Sequence, residues 1–315
     1  MLFRSSNIRV DSRGREVIRI LPRVNDSVNE EWISDKTRQI VDGLKTQRLD
    51  RPYLRENGRL RPASWQEALA AVAGKVRATA PARIGALAGD LAAVEEIFAL
   101  KLLMEQLGVK NIDCRQDGAK IDPANGRTSY LFNATVAGID DADALLIVGA
   151  NPRKEAPVLN ARIRKRWLAG NFKVSLVGER ADLTYDYDYL GAGAESLLNF
   201  IQTAKPVGKL LVLVGQGAVA RQDGAAILSL AAQAAHKLGG VSAGWNGFSM
   251  LHTAASRVGA LDLGFVPGAG DLDAAAMAKG GALDVLFNLG ADELSIEPGA
   301  FVVYIGTHEI GRAHV

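Results

Sequence analysis

Cysteine is nearly absent from this chain: its 315 residues hold one, Cys114. A single thiol excludes an internal disulfide and any zinc or iron–sulfur site built from several cysteines of this chain alone. Histidine is scarce too, with His236, His252, His308 and His314 the full set. No apolar run approaches the ~20 residues that a membrane-spanning helix needs. The opening residues Met1-Leu2-Phe3-Arg4-Ser5-Ser6-Asn7 lack the apolar stretch of a secretory signal. Aromatics make up 6%, and the formal net charge is only +2 with an isoelectric point near 8.6, so no basic bias toward nucleic acid is present. Neither a P-loop nor a zinc-protease H-E-x-x-H is found, and no nucleophile elbow is read from the chain.

What is present is a globular composition, 48% hydrophobic and 23% charged, long enough for about two domains. The charge is uneven: residues 1–61 hold fourteen Lys/Arg against nine Asp/Glu, and the remainder sums to −3. With little aromatic interleaving, that basic segment reads as a solvated or partner-facing surface. Asn7–Val10 and Glu16–Leu21 flank a polar turn closed by Gly14 and predict a hairpin, which Pro22 ends. Residues 25–61 read as irregular, with one short helix around Ser34–Leu44. From Ser64 strand and helix alternate. Ser64 and Glu67 form a capping-box pattern opening a helix over Trp65–Ala78. Strands are expected at Arg83–Ala88, Val109–Cys114, Ala144–Val148, Phe172–Val177, Lys209–Val214, Leu283–Leu289 and Phe301–Ile305. Helices are expected at Leu91–Leu107, Pro157–Ala169 and Gly224–Leu238. This rhythm predicts an α/β architecture of mostly parallel sheets with helices on both faces, behind a small β-rich N-terminal lobe. The expected division is 1–61, 62–205 and 206–315.

Two glycine turns invite a ligand reading. Gly215-Gln216-Gly217 follows a strand and precedes a helix, with Ala220 where a third glycine would fall. A phosphate-holding turn and a plain tight turn both remain open there. Gly149-Ala150-Asn151-Pro152-Arg153 ends the most apolar strand, at the edge where open α/β sheets bind ligands. Asn-Pro turn chemistry accounts for it equally well. Arg162, Arg164, Lys165 and Arg166 read either as an anion clamp or as an exposed helix face. Cys114 reads as a buried small hydrophobe. The acidic Asp140–Asp143 segment reads as a loop, and the alternating Asp and Tyr of Asp182–Tyr189 as an edge or interface loop. No catalytic constellation emerges from the residues.

Several long strings resemble one family. They are Asn7–Leu21, Asn29–Arg38, Gln47–Tyr53, Gly149–Pro152, Glu155–Trp167, Asp182–Tyr185 and Arg221–Leu228. Together they resemble the large iron–sulfur subunit of proton-pumping NADH:quinone oxidoreductase, respiratory complex I, over nearly the whole chain. The resemblance implies the molybdopterin-oxidoreductase-like part of that subunit. It implies a scaffold in the peripheral arm that supports electron transfer from NADH to quinone with no redox centre in this chain. The alternatives are a fragment of an active molybdopterin oxidoreductase and a free-standing nucleotide-binding α/β enzyme.

The small lobe resembles the segment that carries an iron–sulfur cluster in molybdenum enzymes, with Ser34-Asp35-Lys36-Thr37-Arg38 where a cysteine-containing run is usual. The expectation is therefore no cofactor in this chain, with iron–sulfur clusters in a missing N-terminal part. The pterin turns correspond to Gly178-Glu179-Arg180 and Gly191-Ala192-Gly193-Ala194-Glu195, both altered. Gly149, Asn151 and Pro152 are left as a vestigial loop, with no catalytic residue and no metal ligand. Implied partners are the other peripheral-arm subunits and the cluster-bearing N-terminal domain, without nucleic acid or direct membrane insertion. The implied location is the cytoplasmic face of the bacterial inner membrane, or the matrix side in mitochondria. The last seven residues, Glu309–Val315, can be written GAG ATC GGA AGA GCA CAC GTC, which resembles a sequencing adapter. The expectation is that 309–315 are a sequencing artefact, that the second α/β domain is incomplete, and that the gene runs past His308.

Overall fold

Unbroken apolar runs such as Ala144–Val148 and Leu210–Gly215 suit strands covered on both faces, and the computed structural model, which describes residues 6–309, places them at the centre of a parallel sheet. That sheet has five strands in the order Phe248–Leu251, Leu210–Gly215, Ala144–Val148, Lys173–Val177 and Asp188–Gly191, all parallel. A second, four-stranded parallel sheet runs Phe301–Ile305, Val285–Leu289, Ile84–Ala88 and Asn111–Asp113. The fold is thus α/β with mostly parallel sheets flanked by helices. Among the described residues, no helix is long and apolar enough to cross a membrane.

The elements form where local chemistry demands them. Ser64 accepts from the Glu67 backbone N–H while the Glu67 carboxylate accepts from the Ser64 N–H, so the helix Trp65–Arg77 starts with two terminal donors satisfied. The N-terminal hairpin pairs Ile8–Arg13 with Glu16–Pro22 around Gly14, whose φ of +61° suits glycine. Ile20, Ile33 and Val41 make its small core. A second hairpin, Tyr53–Glu56 with Arg59–Pro62, replaces the irregular stretch expected there. Its turn is Asn57-Gly58, both at positive φ, the dipeptide that best matches strand twist.

Two further expectations differ from the structure. The Asp/Tyr run is not wholly loop, because Asp188–Gly191 is the edge strand of the first sheet. The division along the chain also differs. The chain separates into one compact unit of 1–41 with 119–255 and another of 42–118 with 256–315. The boundary at 205/206 falls inside the first unit, where Leu210–Gly215 pairs with Ala144–Val148. The boundary at 61/62 falls inside the second. Compactness follows the sheets, and each sheet recruits strands distant in sequence. Of the expected artefact at 309–315, residues 310–315 lie outside the described residues.

Candidate functional site

In the first unit, three strand exits converge on one cleft of about 1110 Å³. They are the turns after Ala144–Val148, Lys173–Val177 and Leu210–Gly215. Gly149 has φ +59°, and a Cβ there would lie 2.6 Å from the Ala218 Cβ. A Cβ on Gly215 would meet Gly149 O at 2.5 Å, and one on Gly217 would meet it at 2.9 Å. The Gly215-Gln216-Gly217 turn is therefore glycine-rich because the strand exits touch main chain to main chain. That favours the structural reading of this turn.

The Gly149–Pro152 loop folds onto itself. Asn151 caps the short helix Pro152–Glu155, its side chain accepting from the Lys154 N–H at 3.3 Å. The Asn151 backbone N–H donates to Glu155 Oε1 at 2.5 Å. Glu155 Oε2 is buried without a hydrogen-bond partner. Burial pushes the Glu155 carboxyl above its ordinary value, while the Asn151 N–H pulls the other way. The chain thus supplies its own anion at a loop where a ligand phosphate would look for donors. Asn-Pro-x-x-Glu was the available signal in the sequence, a near relative of the capping box with glutamate one residue later.

The cleft's other charges are mostly spent internally. Arg153 pairs with the Asp182 carboxylate and donates to Asp182 O at 3.2 Å. The Thr184 N–H first, and then Arg153, hold the Asp182 carboxyl below its usual range. Arg221 pairs with Asp223, just outside the lining, at 2.7 Å. Arg180 lies over the Tyr189 ring at 3.9 Å, and Tyr189 donates from its hydroxyl to Gly178 O. Four cations and three carboxylates line the cleft, so with Asp223 it is close to neutral.

The remaining sequence candidates are also satisfied within the fold. Arg162 is buried, paired with Asp140 at 2.6 Å, and donates to Asp26 O at 2.8 Å. Lys165 reaches Glu30 at 2.9 Å. Arg164 donates to Thr184 O, and Arg166 to Ala142 O and Gly170 O. The basic run fastens the N-terminal lobe and neighbouring turns, and it is not an anion clamp. Tyr185 donates to Asn160 Oδ1, and Tyr187 to Ala181 O, so this part of the Asp/Tyr run buttresses the turn. His252 Nε2 lies 2.7 Å from Tyr130 O in the core, and Cys114 is buried, its thiol pushed by burial up to about 12. One sequence reading is corrected outright. Gly240-Val241-Ser242-Ala243-Gly244 does have G-x-S-x-G spacing. It lies in the two-stranded pair Val241–Ser242 and Trp245–Asn246, not on the strand-to-helix turn a nucleophile elbow requires.

Comparison with known proteins gives two family matches. The family described as Molybdopterin oxidoreductase matches residues 48–315, and the one described as NADH-ubiquinone oxidoreductase NDSU1/NuoG-like, 4Fe-4S domain matches residues 5–42. The G subunit of the NADH-quinone oxidoreductase of Rickettsia bellii (strain RML369-C) is 45% identical over 312 residues, 96% of this chain and 44% of that protein. The mitochondrial NADH-ubiquinone oxidoreductase 78 kDa subunit of Candida albicans is 44% identical over 317 residues, 96% of this chain and 43% of that protein. The chain therefore spans under half the length of these relatives. Among solved structures, the formyltransferase/hydrolase complex of Methylorubrum extorquens aligns at a TM-score of 0.46 with 15% identity, covering 80% of this chain and 81% of that one.

The expectation of no cofactor in this chain is overturned by the match at 5–42, which places a 4Fe-4S domain inside this chain and so indicates iron–sulfur binding here. The donor set does not follow the usual pattern. Such clusters are held by cysteine thiolates, and residues 5–42 contain none. Ser34, at the ligand-like position, accepts from the Thr37 N–H as a helix cap. Among the described residues no three His, Cys, Asp or Glu side chains converge as a metal site. The pterin implied by the longer match fits no better, since the cleft's loop donor is taken by Glu155 and two of its arginines by carboxylates.

Proposed function

The chain belongs to the molybdopterin oxidoreductase family, and from that premise we propose that it is a scaffold portion of the large iron–sulfur subunit of NADH-quinone oxidoreductase. The relatives at 44–45% identity support that assignment. One observation carries the scaffold role: the cleft at the carboxyl edge of the first sheet, where this architecture binds ligands, is filled by its own ion pairs and its own carboxylate. In this reading Gly149, Asn151 and Pro152 are a retained turn, and no side chain is assigned a catalytic role. The contribution to electron transfer from NADH to quinone is positional: two parallel sheets hold the surfaces that neighbouring subunits meet. The partners are the other subunits of the peripheral arm and the cluster-bearing N-terminal domain of the same large subunit. The location is peripheral to the membrane, on the cytoplasmic face in a bacterium or the matrix side in a mitochondrion.

The test has two arms. The purified chain is mixed with NADH and an artificial electron acceptor, and separately co-sedimented with the remaining peripheral-arm subunits. No turnover above buffer, together with stable association, is the expected result. Turnover by the chain alone, or failure to associate, overturns the reading.

A further inference from the structure

The helix Val94–Gln106 is built for burial on more than one side, because eight of its thirteen residues are apolar. A helix apolar all round belongs in a core. Only Ile97, Leu100 and Met104 are buried, and they face the second sheet's unit. On the opposite side Val94, Phe98 and Leu102 recur at i, i+4 and i+8, forming one continuous stripe. Phe98 is 47% exposed and Leu102 42%, and Leu91, in the turn leading into the helix, is 74% exposed. Scattered single apolar residues on a surface are ordinary, but an aligned row is a marker of an interface.

The flanks of the stripe have a definite charge. Glu95, Glu96 and Glu105 stand on this helix against one cation, Lys101. Lys101 is already committed, donating to Leu263 O at 2.7 Å and pairing with Glu105 at 3.4 Å. Glu96 caps the helix by accepting from the Ala93 N–H. Glu95 is left beside the stripe as a carboxylate facing solvent. The short helix Arg257–Asp262 abuts the start of the helix through Gly259, where a Cβ would lie 3.1 Å from Val94.

We propose that the Leu91–Leu102 face is a docking surface for a helix of another subunit, one with an aliphatic or aromatic stripe flanked by lysine or arginine. The apolar row asks for a helix laid along it, ridges into grooves. The acidic flank sets the sign of the partner's charges. The same flank disfavours a second copy of this chain, since a two-fold pairing would bring glutamates against glutamates. This inference rests on the scaffold reading above and adds to it the surface and the chemistry of the contact.

The test uses Phe98→Cys and, in parallel, Leu91→Cys, which lies ahead of the helix and spares its packing. Each chain is labelled with a maleimide, alone and assembled with the other peripheral-arm subunits. The native background is silent because Cys114 is buried. Labelling should be fast in the free chain and at least tenfold slower in the assembly. Glu95→Lys should weaken association by about 3- to 5-fold at low salt, the scale of one exposed ion pair, and by less at high salt. Equal labelling in free and assembled chains overturns the inference. So does protection that appears in the chain alone as its concentration rises, or a Glu95→Lys variant that associates with unchanged affinity. Failure to co-sediment is a separate readout and falls on the scaffold reading instead.

Discussion

Glu155 shows how one side chain changes the reading of a turn. Its carboxylate accepts from the Asn151 N–H with one oxygen and is buried without a partner at the other. Because burial raises its pKa in the folded state, the native protein binds this proton more tightly than the unfolded chain does. The associated stability is fully present below the unfolded value of about 4.3 and is lost as pH rises through the higher folded value. Glu155→Gln keeps an oxygen for the Asn151 N–H and removes the charge. The variant should be at least as stable as wild type at pH 7, and its urea midpoint should change less between pH 4.5 and pH 7. A variant with a steeper pH dependence would show that the carboxylate is better solvated than its surroundings indicate.

Elements in both sheets depend on glycine at strand exits, and the dependence has a predictable sign. Gly89 follows the strand Ile84–Ala88 and donates its N–H to Leu289 O at 2.8 Å. A Cβ at Gly89 would lie 1.8 Å from Gly290 O, which is main chain and has nowhere to move. Gly89→Ala should therefore cost about 2 kcal/mol or more in chemical denaturation. Gly74 provides the opposite case. It sits inside the helix Trp65–Arg77, and a Cβ there meets nothing within 4 Å. Gly74→Ala should stabilise by about 0.5–1 kcal/mol. Both glycines look alike in sequence. Only the neighbour across the sheet distinguishes them, because the contact at Gly89 comes from a residue about two hundred positions away.

At the scale of the whole chain, the interleaving of the two units decides what can fold alone. Leu210–Gly215 sits between Ala144–Val148 and Phe248–Leu251, so the first sheet is complete only within 119–255. A fragment of residues 119–255 should melt cooperatively and show a native near-ultraviolet spectrum. A fragment of residues 62–205 carries parts of both sheets, lacks the strand beside Ala144–Val148, and should show neither. A cooperative melt of 62–205 would mean that compactness follows chain order after all.

The sequence by itself determined the parallel α/β class, because continuous apolar runs and capping boxes are local signals. Ala144–Val148, the helix Pro157–Leu168 and the strand Phe301–Ile305 lie where periodicity placed them, within a residue or two. It also carried the family resemblance in its long strings. Asn57-Gly58 was equally readable as a hairpin turn, and Gly240–Gly244 as a G-x-S-x-G match. Tertiary structure alone decided that Arg162 and Lys165 fasten the small lobe, that Glu155 fills its own loop, and that the units are discontinuous. The physical reason is range. Propensity and capping act within a few residues, whereas ion pairs, strand neighbours and close main-chain contacts join positions that only the completed fold brings together.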